Sequence, residues 1–144
     1  MITRYLLLAI FGIAMAHVEG VVVVYLRKAL GLIDAETDSA GLLEEVPKRY
    51  VKIEMTREVA TIVMLVALAL LVGENRLDVL MVFLWTFAFW DLFYYLSLYL
   101  VIKWPPKLTT MDVLFLIPRP WIAPVWLPIG ISTLMIIIIA VFYL

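Results

Sequence analysis

Residues 5–26 are about 22 consecutive positions whose only formal charge is Glu19, and as a helix they reach roughly 33 Å, enough to cross the hydrocarbon core of a bilayer. Nothing else in the chain restricts its fold as much, because a segment in lipid must satisfy its own backbone hydrogen bonds, and one isolated run can do so only as a helix. Composition points the same way. Of 144 residues, 66% are hydrophobic and 16% charged, with a mean hydropathy of +1.10, whereas a water-soluble domain of this size must turn many more polar residues outward. Residues 1–16 also resemble a secretory leader with a cleavage pattern at Ala14-Met15-Ala16. The apolar run resumes at Val18 and continues to Leu26, which favours a retained span.

Three more crossings follow. The uninterrupted apolar run 59–72 is only about 14 residues, or roughly 21 Å, so the second span has to draw in Glu54, Met55, Thr56, Arg57 and Glu58 and is placed at 54–73. The third, 79–102, is dense in aromatic residues and carries one charge, Asp91. It ends at Lys103-Trp104-Pro105-Pro106-Lys107, a helix breaker between two cations beside an interfacial tryptophan. A last helix at 124–144 has the roughly 21 residues a crossing needs and tolerates Pro124 and Pro128 in its first turns. Ahead of it, the spacing of Thr109 and Asp112 is that of a capping box and predicts a short helix. Pro118, Pro120 and Pro124 stop that helix early, so 110–123 is expected to be a short helix or a proline-rich re-entrant or interfacial stretch packed against protein. The fold class expected is therefore all-α: a polytopic membrane protein, one domain over 1–144, built as a four-transmembrane-helix bundle.

The connection 27–50 is polar, with Asp34, Glu36, Asp38, Glu44 and Glu45 followed by Lys48 and Arg49, and is read as a cytoplasmic loop. Arg27, Lys28, Lys48, Arg49, Lys52, Lys103 and Lys107 fall on one side of the spans, against Arg4 and Arg76 on the other. The positive-inside rule then puts the long loop and the proline-rich segment in the cytoplasm and both termini outside the cell's inner membrane.

Several ionisable groups share a depth. Counted from the cytoplasmic ends, Glu19 lies roughly 12 Å in, Glu58 roughly 9 Å and Asp91 roughly 18 Å at 1.5 Å per residue. Charges there cost on the order of 2.5–3.5 kcal/mol each, so they are expected to face inward and to have partners. Glu54 and Glu58 stack on one face of the second span with Arg57 beside Glu54. Asp91 shares a face with Ala88 and Tyr95, whose hydroxyl is in reach to donate to it. Gly12, Ala16 and Glu19 form one stripe of the first span, and such small residues let a neighbouring backbone come close. His17 lies about 200° around the helix from Glu19, so the two cannot both point into one pocket. Asp112 and Arg119, the latter on a rigid turn between two prolines, are candidates to join the layer; Arg119 suits a lipid phosphate equally well. Carboxylates outnumber cations in this set. Gathered out of water they cannot all remain ionised unless a proton or a cation joins them.

Several chemistries drop out. There is no basic excess for a nucleic-acid partner, with a net charge of -1, and no cysteine for disulfides, thiolates or sulfur-bound metals. One histidine without a Glu-x-x-His pair offers no metal centre, and no cofactor fingerprint is present. The leading reading is a carboxylate-rich pocket in the cytoplasmic half that binds, and can protonate, a lipophilic or cationic small molecule. Its candidate residues are Glu19, Glu54, Arg57, Glu58, Asp91, Tyr95, Asp112, Arg119 and His17. Proton or cation translocation through the bundle, in a homo-oligomer, and an accessory role in a larger membrane complex are the alternatives. The partners expected are membrane lipid, the lipophilic small molecule, and a second copy of the chain or another membrane protein.

Ala16-His17-Val18-Glu19-Gly20, Arg57-Glu58-Val59-Ala60-Thr61, Trp90-Asp91-Leu92-Phe93-Tyr94-Tyr95 and Asp112-Val113-Leu114-Phe115-Leu116-Ile117-Pro118 resemble segments of small uncharacterised bacterial integral membrane proteins. The resemblance covers most of the chain apart from residues 31–48. It implies a four-span architecture and no activity. In architecture alone, four spans with buried acids also resemble sterol-isomerase-type membrane domains, with no motif in common.

Overall fold

A computed structural model of the chain describes residues 1–31 and 39–144. Its elements run α1 (Ile2–Ala29), α2 (Ser39–Glu45), α3 (Lys48–Val72), α4 (Arg76–Ile102), β1 (Met111–Phe115), β2 (Trp121–Pro124) and α5 (Trp126–Phe142). The fold is mostly helical, and α1, α3 and α4 are each long and apolar enough to span a membrane. α5 is a shorter apolar helix of 17 residues.

Helix ends follow local chemistry. Arg27 and Lys28 complement the dipole in the last turn of α1. Beyond it Gly31 takes φ 70, a left-handed conformation that glycine adopts without a Cβ clash. Between α3 and α4 the turn is tight: a Cβ on Gly73 would meet Val79 Cγ2 at 2.4 Å. Asn75 then caps α4, its side-chain oxygen accepting from the N–H groups of Leu77 and Asp78 at 3.0 Å each. The connection expected over 27–50 is shorter, because α1 runs to Ala29, α2 forms within it, and α3 opens directly behind its N-cap Pro47. Asp34, Glu36 and Asp38 of that connection lie outside the described residues.

α4 is the centre of the bundle. α1 runs parallel to it, and the stripe Gly12, Ala16, Gly20 sets their approach: a Cβ on Gly12 would lie 2.9 Å from the Thr86 carbonyl oxygen, and one on Gly20 3.0 Å from Ser97 Cβ. α3 and α5 run antiparallel to α4 and pack on it, without an extended contact between each other. At one end the core closes around Tyr5, Leu8, Ala9, Ala69, Val82, Trp85 and Ile139. Apolar residues on the outward faces, among them Leu6, Leu7, Met64, Leu71, Ile138 and Phe142, are exposed.

The helix expected from Thr109 does not form. Residues 111–124 instead make an antiparallel hairpin, with Met111 opposite Pro124, Asp112 opposite Ala123, Val113 opposite Ile122 and Phe115 opposite Trp121. With no helix there, Asp112 sits on a strand. Its carboxylate accepts the Val113 N–H at 2.9 Å and the Tyr95 hydroxyl at 2.7 Å. Pro118, Pro120 and Pro124 supply no N–H and push their predecessors into extended backbone, which suits strand pairing and not a helix. Val125 N–H to Thr110 O at 3.0 Å and Trp126 N–H to Leu108 O at 2.9 Å extend the pairing. Because residues 121–124 are committed to this ladder, α5 begins at Trp126 and not at residue 124.

Candidate functional site

Between the helices and the hairpin lies a cavity of about 460 Å³. From α1, Glu19, Val23, Leu26, Arg27 and Leu30 reach it, a stripe at helical spacing. α3 presents Glu54, Arg57 and Glu58, three positions within one turn and a third, to the same space. α4 adds Phe87, Trp90, Asp91, Tyr94 and Tyr95, α5 adds Ser132 among the apolar Leu127, Pro128, Ile131 and Met135, and Leu43 of α2 closes in beside them. The hairpin supplies a further wall. Its register jumps at Leu114, which stands as an extra residue between the pairs Val113–Ile122 and Phe115–Trp121. Such a bulge turns Phe115 onto the face that carries Asp112. Both then meet α4, Asp112 at Tyr95 and Phe115 at Phe87, whose rings are stacked with centroids 6.3 Å apart. Tyr95 and Phe87 are eight residues apart, about 12 Å along the helix, so the hairpin lies lengthwise beside α4 and not across its end.

The acids are wired into two sets. Arg57 links α1 to α3: its Nη1 donates to Glu19 Oε1 at 2.5 Å, while Nε and Nη2 donate to Glu54 Oε2 at 2.9 and 2.8 Å. The second Glu19 oxygen accepts from Trp90 Nε1 of α4. One guanidinium thus serves two carboxylates, leaving that group with a negative balance. Glu58 does different work: its two oxygens accept the N–H groups of Leu116 and Ile117 at 2.8 and 3.2 Å, tying α3 to the hairpin. Asp91 accepts from Ser132 Oγ at 2.7 Å and makes no ion pair among the described residues.

Several sequence readings change here. Tyr95 donates to Asp112 and not to Asp91, because the hairpin brings a carboxylate to its hydroxyl while α5 occupies the Asp91 side. His17 lies off the cavity, its Nδ1 3.1 Å from Ser97 Oγ, on the α1 face that packs beside α4. Arg119 is exposed at the hairpin tip, away from the carboxylates, because the turn 118–120 projects it outward. The remaining candidates, Glu19, Glu54, Arg57, Glu58, Asp91, Tyr95 and Asp112, all border the one cavity. So does Arg27, which orientation counting treats as a loop cation. It is buried, its guanidinium carbon 4.4 Å from the centroid of the Trp104 ring; its eight-residue spacing from Glu19 was the signal that could have found it.

A second polar cluster, at the opposite end, has no counterpart in the sequence reading. Asp78 is 1% exposed and accepts from Arg4 Nη2 at 2.9 Å, Tyr5 OH at 2.9 Å, Tyr143 OH at 2.8 Å and the Glu74 N–H at 2.9 Å. It joins α1, α4 and the end of α5. An Asp in a first turn is already accounted for by the helix dipole, which is why its wider role leaves no mark on the pattern.

No family model, no curated protein and no solved structure matches this chain. The chemistry of the cavity has to be read from its own groups. Among the described residues lining it, the carboxylates of Glu19, Glu54, Glu58, Asp91 and Asp112 face the guanidiniums of Arg27 and Arg57, and the intervening walls are apolar, with Phe87, Trp90, Tyr94, Tyr95, Phe115 and Trp121 set among aliphatic side chains. Low-dielectric surroundings strengthen that imbalance, and ring faces add to the attraction for a cation.

Proposed function

We propose that the chain is a four-span protein of the inner membrane, that α5 is its fourth crossing, and that the cavity binds a lipophilic organic cation. The observation that carries the reading is the excess of carboxylates over guanidiniums around one apolar cavity that includes several aromatic faces. A membrane setting is supported by the alternation of α1, α3, α4 and α5. It gathers Arg27, Lys28, Lys48, Arg49, Lys52, Lys103 and Lys107 at the hairpin end, the cytoplasmic side under the positive-inside rule, with both termini at the other. α5 is about 25 Å long, and the hairpin, lying beside α4 with its amides satisfied by pairing and by Glu58, is a re-entrant element. Asp91 receives the ligand's ammonium and can exchange a proton with it, Ser132 holding the carboxylate in place; Trp90 and Tyr94 flank the apolar body.

Translocation through a single copy has less support. Between the cavity and Asp78 the helices meet in the apolar cluster of Leu8, Ala9, Ala69, Val82 and Ile139, which offers no relay of ionisable groups.

The test is a tryptophan-fluorescence titration of the detergent-solubilised protein with dodecylamine and, as an uncharged control, dodecanol. Expected is saturable quenching by the amine, at least tenfold tighter than any response to the alcohol. Asp91→Leu and Glu19→Leu should lose that binding while keeping the helical circular-dichroism signal. Equal binding of the alcohol, or unchanged amine binding in both variants, refutes the reading.

A further inference from the structure

On the outer side of α4, Leu92, Tyr95, Leu96 and Tyr99 recur at the spacing that aligns side chains on one helical face. With Ile129 of α5 and the turn 105–108 they wall a second hollow, of about 350 Å³. Leu96 and Tyr99 are exposed along it, so it opens to the surroundings of the bundle. Its mouth is cationic. Lys107 lines it, and Lys103 places Nζ 5.1 Å from the centroid of the Tyr99 ring that forms its wall. No carboxylate lines this hollow among the described residues.

Lys103 is also the one non-glycine residue among those described with a positive φ, 57, as the left-handed C-cap of α4. Glycine takes that conformation without steric penalty, and a lysine does not. A side chain kept at a position its backbone disfavours points to a use for the side chain. What it provides here is a charge at the head of an apolar groove, at the level where α4 leaves the bundle.

We propose that this groove is a binding site for an anionic phospholipid, one acyl chain lying along Leu92, Leu96 and Ile129 and the phosphate resting on Lys103 and Lys107. The match is of charge to charge and of chain to groove, and it is independent of what the inner cavity binds. A basic residue at a membrane surface is worth about a fivefold preference for anionic lipid, so the pair gives about 25-fold.

Native mass spectrometry of the full chain, titrated with phosphatidylglycerol, with phosphatidylcholine of the same acyl chains, or with inorganic phosphate, reads this directly. Wild type should retain phosphatidylglycerol about 25-fold better than phosphatidylcholine, and phosphate should not displace it. Lys103→Gly should lower the preference about fivefold without lowering the melting temperature, since glycine suits that backbone, and Lys107→Gln should lower it similarly. Leu96→Trp, which fills the groove, should abolish retention of both lipids, and Lys28→Gln should change nothing. Three results overturn the proposal: a preference that survives in the double variant Lys103→Gly/Lys107→Gln, displacement by phosphate alone, or an equal loss in Lys28→Gln. Lys107→Gln leaves the helix cap untouched, so it decides the matter even if Lys103→Gly alters the fold.

Discussion

Replacing Arg57 by methionine keeps the bulk and apolar stem of the side chain and deletes only the charge that Glu19 and Glu54 share. In the native arrangement the guanidinium donates to Glu19 at 2.5 Å and to Glu54 at 2.9 and 2.8 Å. Without it, two carboxylates whose side chains are 13% and 16% exposed keep their desolvation and lose their cation. Breaking a buried pair by removing one partner costs about 3–5 kcal/mol; the 27% exposure of the Arg57 side chain brings the expected loss to about 2–4 kcal/mol. Adding Glu19→Gln to Arg57→Met removes the uncompensated charge, so the double variant should be more stable than Arg57→Met, with a coupling energy of about 1–3 kcal/mol. Equilibrium unfolding in mixed micelles measures both, and Trp90, whose indole N–H donates to Glu19, serves as a local fluorescence reporter. If Arg57→Met unfolds within about 0.5 kcal/mol of wild type, or the two substitutions are additive, the shared-cation account of this layer is wrong.

Two further outcomes follow from the same geometry. Asp78→Ala leaves the hydroxyls of Tyr5 and Tyr143, the Glu74 N–H and Arg4 without their common acceptor, and should lower unfolding stability by about 2–4 kcal/mol while leaving amine binding at the distant cavity unchanged. Glu58→Ala removes the acceptor of two hairpin amides, so hydrogen exchange at Leu116 and Ile117 should accelerate at least tenfold over wild type, with the amides of α4 unaffected.

Periodicity made the helix faces legible and left their partners unread. The spacing of Glu54, Arg57 and Glu58 was enough to put them on one side of a helix, and the small residues at 12 and 16 were enough to mark where a neighbour comes close. Which neighbour faces them is a property of the bundle. Tyr95 stands four residues after Asp91 and is in reach of it on an isolated helix, yet the Asp112 carboxylate, delivered by the hairpin, takes the hydroxyl. The hairpin itself was obscured by the rule that signals it: strands of 5 and 4 residues, the first of them bulged, are too short and irregular for an alternation to register. The prolines at 118, 120 and 124 correctly excluded a long helix but do not say what replaces it. Asp78 was hidden for a different reason, since its donors come from residues 4, 5 and 143, remote in the chain from any local pattern.

The hairpin links fold to site. Three helices surround α4, but α3 and α5 do not close on each other, and a gap of that kind in an apolar bundle would leave the cavity walls unsupported. Another helix could fill the gap, but a helix keeps its amides for itself. A strand pair has amides to offer beyond its ladder, and Glu58 takes two of them at the hairpin's far end while Tyr95 takes the Asp112 carboxylate near its base. The two contacts anchor the same element to α3 and to α4 through carboxyl oxygens that also border the cavity. A proton or a cation arriving at either carboxylate would therefore compete with a bond that holds the wall in place. Asp91, bonded to Ser132 of α5 and to neither strand, stands apart from that anchorage.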